Sequence, residues 1–361
     1  MIPFVTCTLM VRLLVRLSGS IRLGRQLPLV LPLMTAVLLM ALGCGRGRHR
    51  VIEVAYVSAP QAALRDQVAA IFNRVGNVKN GERVEVLERE KRFVRVRTAS
   101  GIEGWIEQRF LVDQKTFDAL QKLTADNQND PIQAPGVLRN ETNLHVTPGR
   151  ETEHLYQLAS GAKVAILKRG TAERPGLVVP AKPIAKSGAK AAAEPVLEDW
   201  WLVRDDQGRV GWVLARMVDV DAPLEIAQYA EGQRFVAFFA LDTVADNDKG
   251  VQKQVPQYLC LLTDPHDGLP YDFDQVRVYT WNTRKHRYET AYREHGLDGV
   301  LPVTVTHESF DKEGTLPVFI LRVKDDAGAV TERKYKLNTP IVKRVLAPGE
   351  VPSRPAKRRR G

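Results

Sequence analysis

The chain has 361 residues, too many for one small core and enough for two or three domains, and its 44% hydrophobic and 26% charged content is that of a globular protein. Three cysteines exclude a disulfide-held scaffold and a multi-cysteine zinc site. The net charge of +10 sits at the two ends, and residues 51–342 carry 38 basic against 41 acidic side chains, which excludes a broadly basic nucleic-acid-binding body; no nucleic acid is expected as a partner.

Arg12, Arg16, Arg22 and Arg25 precede an uncharged run of 17 residues from Leu27 to Gly43. That is short for a permanent span, and with a basic lead it has the form of a secretory signal. The run ends Leu39-Met40-Ala41-Leu42-Gly43-Cys44. This resembles the lipobox of bacterial lipoprotein signals. The resemblance implies cleavage after Gly43, lipid on Cys44 and a short tether over 44–50. It also implies a cell-envelope location on the periplasmic side. Gly45 after the cysteine favours the outer over the inner membrane.

An internal repeat follows. Val78-Lys79-Asn80-Gly81-Glu82-Arg83-Val84-Glu85-Val86-Leu87 aligns with Leu158–Leu167 at an offset of 80. Gly101–Ile106 aligns with Gly208–Val213 at an offset of 107, which puts Phe93 on Trp200. The second copy therefore holds 27 extra residues. They fall in 169–197, which carries Pro175, Pro180, Pro183, Pro195 and the run Lys186–Ala193. Such a segment buries little, so a flexible insertion is expected there. Val84/Val86 and Val94/Val96 alternate with charged residues, the period of a half-buried strand.

The order of motifs resembles bacterial SH3-like domains: Gly-x-x-Val-x-[Val/Ile]-Leu, an aromatic-led strand, then Gly-Trp-[Ile/Val]. The second copy adds Thr142–Gly149, similar to that family's Leu-Asn-Val-Arg-x-Gly-Pro segment. The first copy keeps only Leu64 and Arg65 there, so a ligand groove at this loop is expected of the second copy more than of the first. The expected domains are 51–113 and 136–220. The resemblance implies non-catalytic modules that bind cell-wall peptide or envelope proteins. Tyr56, Trp105, Tyr156, Trp200 and Trp212 are the candidate ligand-binding residues, because aromatics give rigid contact area. Trp105 and Trp212 fit a core role better than a groove role. Trp200 and Trp201 are adjacent on a strand and should face opposite sides, leaving one exposed.

Between the copies, Phe117, Leu120 and Leu123 have helical spacing, giving a helical linker over 114–135. A second linker helix is expected after Pro223, within 221–233. From Arg234 the chain reads as strands over 234–244, 257–263, 275–282, 286–293, 300–307, 316–325 and 330–337. That pattern gives an antiparallel sandwich or open barrel over 234–345, taken as sandwich-like. A basic tail, 346–361, closes the chain. The fold class is thus all-β: two tandem SH3-like small barrels, then an antiparallel β domain.

No catalytic constellation stands out. After Cys44 the only cysteine is Cys260, in the apolar run Tyr258–Leu262, which reads as a buried thiol. The histidines lack metal-ligand spacing, and the acidic loop Asp264–Asp274 lacks the EF-hand pattern. No cofactor and no metal are expected. The reading is a non-catalytic envelope lipoprotein, anchored to a membrane by lipid, whose modules bind peptidoglycan peptide or an envelope protein. The alternatives are a peptidoglycan hydrolase with SH3-like targeting modules and an envelope assembly scaffold.

Overall fold

The computed structural model of the chain describes residues 50–179, 194–248 and 250–346. The signal segment with Cys44, the middle of the insertion and the basic tail lie outside the described residues. Val51–Gly361 is one unit, built on three antiparallel sheets of seven strands each.

The first sheet holds β1 (Glu53–Val57), β2 (Gln61–Arg65), β3 (Arg74–Lys79), β4 (Arg83–Glu90), β5 (Phe93–Thr98), β6 (Glu103–Glu107) and β7 (Leu111–Asp113). Its order is β3-β2-β6-β5-β4-β1-β7. Period-two alternation puts Val84, Val86, Val94 and Val96 into one core with Leu64, Val78 and Ile106. A helix, α1 (Gln114–Asn127), follows at once. Its N-cap is Asp113, whose side chain accepts a hydrogen bond from Thr116 N at 2.8 Å. That bond holds the Asp113 carboxyl below its ordinary pKa.

The second sheet holds β8 (Ala134–Leu138), β9 (Thr142–His145), β10 (His154–Leu158), β11 (Lys163–Val179), β12 (Glu194–Arg204), β13 (Val210–Leu214) and β14 (Val218–Val220). Its order, β10-β9-β13-β12-β11-β8-β14, repeats that of the first sheet strand for strand. Gly81 and Gly161, matched in sequence, both sit at φ +78° in the turn before the fourth strand, where a side chain would be strained. The all-β fold class expected is borne out, with neither sheet closing into a barrel.

The insertion corrects one expectation. Residues 169–179 and 194–197 are strand, not loop. β11 and β12 extend as a hairpin arm, with Gly170 opposite Trp200 and Val179 opposite Glu194. Of the described prolines, Pro175 and Pro195 sit in the outer part of the arm. Its base is ordered by Arg169, which is buried and ion-paired.

After a short helix, α2 (Leu224–Ala227), the third sheet runs in sequence order. Its strands are β15 (Arg234–Asp248), β16 (Val251–Thr263), β17 (Phe273–Asn282), β18 (Arg287–Phe310), β19 (Gly314–Lys324), β20 (Val330–Asn338) and β21 (Ile341–Val345). This is one continuous meander, the open form of the two antiparallel arrangements expected. The two strands expected at 286–293 and 300–307 are a single β18. Its register shifts as it passes from β17 to β19, and Gly299 lets it pass over the Phe273 ring. Leu259 and Leu261 of β16 face one core, while Tyr258 and Cys260 face another that α2 covers with Ile226. Both faces being covered explains the unbroken apolar run.

Candidate functional site

The repeat places equivalent residues in equivalent positions. In the first sheet Arg65 of β2 stands opposite Trp105 of β6. In the second, His145 of β9 stands opposite Trp212 of β13. Phe93 opens β5, and its match Trp200 lies within the longer β12. The trio Arg65, Phe93 and Trp105 is thus matched by His145, Trp200 and Trp212.

The two trios have different surroundings. Around Arg65 lies a groove of about 470 Å³, lined by Val68, Ala69, Ala70, Lys91, Arg92 and Phe93 as well as Arg65 itself. The Arg65 guanidinium sits 4.1 Å from the Phe72 ring centre and 5.0 Å from that of Phe93. Its Nη2 is 3.4 Å from Glu107 Oε1. Phe72 is 37% exposed. The groove therefore offers the exposed cations Lys91 and Arg92 and the partly covered Arg65 over a floor formed by the buried Phe93, with Phe72 partly exposed beside it, a surface suited to a ligand with carboxylates.

The matching position in the second sheet is filled. Trp200 is buried, with its ring edge-on to His145 at 5.2 Å. Trp212 lies on Gly170 of the arm, where a Cβ would come within 2.7 Å of its ring, and Pro148 closes in beside it. The groove expected of the second copy is thus closed by its own hairpin, and the open one belongs to the first. Trp201, on the opposite face, is also buried, in a core shared with Val236 and Leu259 of the third sheet. Neither tryptophan is exposed, against expectation, because the third sheet covers the face that a lone module would show to water.

Tyr56 and Tyr156 are brought together with α1, away from the groove, in a cluster that also holds Leu120 and Leu155. Tyr56 is buried, stacked on Phe117 at 4.0 Å, and its hydroxyl donates to Gln114 Oε1. Tyr156 is half-buried under the Arg209 guanidinium, and burial raises its hydroxyl pKa. The Asn80 side chain donates to Leu155 O at 2.8 Å and accepts from Gln157 N at 3.1 Å. These residues join the two sheets. Trp105 is itself buried. The groove residues that sequence reasoning missed are Phe72, Lys91 and Arg92; the pairing of Arg65 with Phe93 through the repeat was the available signal.

His145 carries a testable electrostatic consequence. Burial, with His154 at 5.0 Å adding like charge, pushes its pKa down to about 4. Above about pH 6.5 the ring is neutral in folded and unfolded chains alike, and its shift costs nothing. As pH falls towards 4, the unfolded chain takes up a proton that the folded ring refuses. Stability is then expected to fall by on the order of 2 kcal/mol, levelling off below pH 4. Urea unfolding at pH 7.5 and 4.5 checks this: His145→Phe should remove that part of the loss, and an unchanged pH dependence would refute it.

Cys260 is fully buried, and burial pushes its thiol pKa up, far from a thiolate at neutral pH. The acidic loop 264–274 is engaged by arginines: Asp267 by Arg234 at 3.0 Å and Asp272 by Arg169 at 3.2 Å. Among the described residues no group of His, Cys, Asp or Glu is placed to hold a metal ion.

Residues 61–112 match the bacterial SH3 domain family, so the open groove lies within a bacterial SH3 domain. No curated protein matches the chain. Solved structures similar to it include NlpC2 from Trichomonas vaginalis, at 12% identity and a TM-score of 0.17, covering 79% of this chain and 97% of that one. A NlpC/P60 family protein from Bacillus cereus ATCC 10987 is similar at 10% identity and a TM-score of 0.22, over 80% and 95% of the two chains. NlpC1 from Trichomonas vaginalis is similar at 9% identity and a TM-score of 0.15, over 68% and 90%. Likenesses this low assign no residue a role. The non-catalytic reading is set aside, since these neighbours carry the NlpC/P60 name, but at TM-scores of 0.15–0.22 they give this chain no activity.

Proposed function

We propose that the chain works at peptidoglycan, in its hydrolysis, and that the SH3 domain over 61–112 is the part that seats on the wall. The observation that carries this is the family match, coinciding with the open groove at Arg65. The groove's chemistry supports it: Arg65, Lys91 and Arg92 suit the carboxylates of a wall peptide, and the partly exposed Phe72 suits an apolar side chain. The matching strand order of the second sheet supports reading it as a second copy of the module, with its groove closed. The sequence at Leu39–Cys44 supports a lipid anchor that holds the chain on the periplasmic side of a membrane, the outer one favoured. The hydrolytic step does not fall to Cys260, whose thiol has no access to substrate.

Purified murein sacculi test this. The chain is expected to be retained at low salt and to release soluble wall fragments. Arg65→Ala with Phe72→Ala should cut retention about tenfold, since both faces of the groove are lost. Cys260→Ser should leave fragment release unchanged. Absence of both retention and release would overturn the proposal.

A further inference from the structure

A second surface lies away from the SH3 groove. Glu198 of β12 is nearly buried, its side chain 6% exposed, and three arginines from three different segments converge on it. Arg150, in the loop between β9 and β10, forks onto it with Nε at 2.6 Å from Oε2 and Nη2 at 2.7 Å from Oε1. Arg174 reaches it from the hairpin arm at 3.8 Å, and Arg216 from the turn after β13 at 3.9 Å. The carboxyl pKa is held below the ordinary value, first by the Arg150 hydrogen bonds.

One carboxylate cannot neutralise three guanidinium groups. Two positive charges remain in excess. Among the described residues no other carboxylate lies within 4 Å of Arg174 or Arg216. Both reach partly into water, with side chains 37% and 47% exposed. Arg216 also lines a cleft of about 650 Å³ between the second and third sheets. Trp201, Val218 and Phe235 give that cleft an apolar wall. Its other arginines are committed: Arg139 to Asp219, and Arg234 to Asp199 and Asp267. The unsatisfied charge is therefore at the Arg216 end.

We propose that Arg150, Arg174 and Arg216, gathered on Glu198, form a binding site for an oxyanion, a phosphate or a carboxylate. Arg150 is the fixed member, locked by its fork. Arg174 and Arg216 supply the donors that close on the ligand, and planar guanidinium groups match both oxyanions.

Calorimetric titration of the full chain with inorganic phosphate and, separately, with citrate tests this and tells the two ligand chemistries apart. Saturable binding of at least one is expected, weakening as salt rises. Arg174→Ala with Arg216→Ala should weaken it about tenfold or more, and both side chains are exposed enough for the fold to tolerate the change. Arg139→Ala should leave it within twofold. No heat with either anion would overturn the proposal. So would equal binding by the double variant, or a loss in Arg139→Ala as large as the double variant's.

Discussion

Replacing Asp199 with alanine is expected to destabilise the chain by about 3–5 kcal/mol, the usual cost of stranding a buried charge. Asp199 is fully buried on the face of β12 opposite Glu198. It accepts from Arg169 Nη2 at 2.5 Å, Arg234 Nη2 at 2.8 Å and Gly268 N at 2.9 Å. Arg169 is itself only 5% exposed, and it donates also to Tyr271 O, Leu269 O and the Asp272 carboxylate. One carboxylate thus ties the base of the hairpin arm to the loop that joins β16 and β17. Without it, Arg169 keeps a charge that water cannot reach. Urea unfolding checks the size of the loss. The double variant Arg169→Met with Asp199→Leu should lose less than Asp199→Ala alone, since the Arg169 charge goes with its partner and Asp272 keeps the hydrogen bond from Leu301 N at 2.7 Å. Faster amide exchange at Gly268 should accompany the single variant. A loss under about 1 kcal/mol, or a double variant worse than the single, would mean that the latch is not what holds this loop.

The same network shows where the sequence could and could not be read. The repeat was legible because its signal is local: a glycine before a strand, alternating valines, a Gly-Trp pair at fixed offsets. Those residues take matched places, down to Arg65 and His145 opposite Trp105 and Trp212. The latch was not legible, since Arg169 and Arg234 lie 30 and 35 residues from Asp199 and its loop partner Gly268 lies 69 away. In sequence, charges in a proline-rich stretch and an acidic loop look solvated. The same holds for the tryptophans. Alternation correctly put Trp200 and Trp201 on opposite faces, but it cannot say what covers each face. One is covered by His145 and the arm, the other by the third sheet. The open groove was missed for a related reason. The second copy has the better loop motif, yet its own insertion folds over the site, while the first copy has no such arm.

The Gly-Trp pairs make the last expectation, because they owe their glycine to space and not to backbone angle. A Cβ on Gly104 would lie 2.8 Å from Leu64 Cβ, 2.9 Å from Val75 Cγ2 and 3.1 Å from Arg65 O. A Cβ on Gly211 would lie 2.7 Å from Leu144 Cβ and 3.2 Å from its Cα. Leu64 and Leu144 are fully buried, and a Cβ, unlike the end of a flexible side chain, moves only with its backbone. Gly104→Ala and Gly211→Ala should each destabilise by about 3 kcal/mol, the upper end for overpacking, because a strand must shift. Their effects on wall binding should differ. In Gly104→Ala the displaced strand is β2, which carries Arg65 into the groove, so retention on sacculi should fall even where the protein remains folded. In Gly211→Ala the displaced strand is β9, behind a closed site, and retention of the folded fraction should be unchanged. Equal retention by both would separate the groove from wall binding, whereas equal loss would place the second sheet in the binding surface as well.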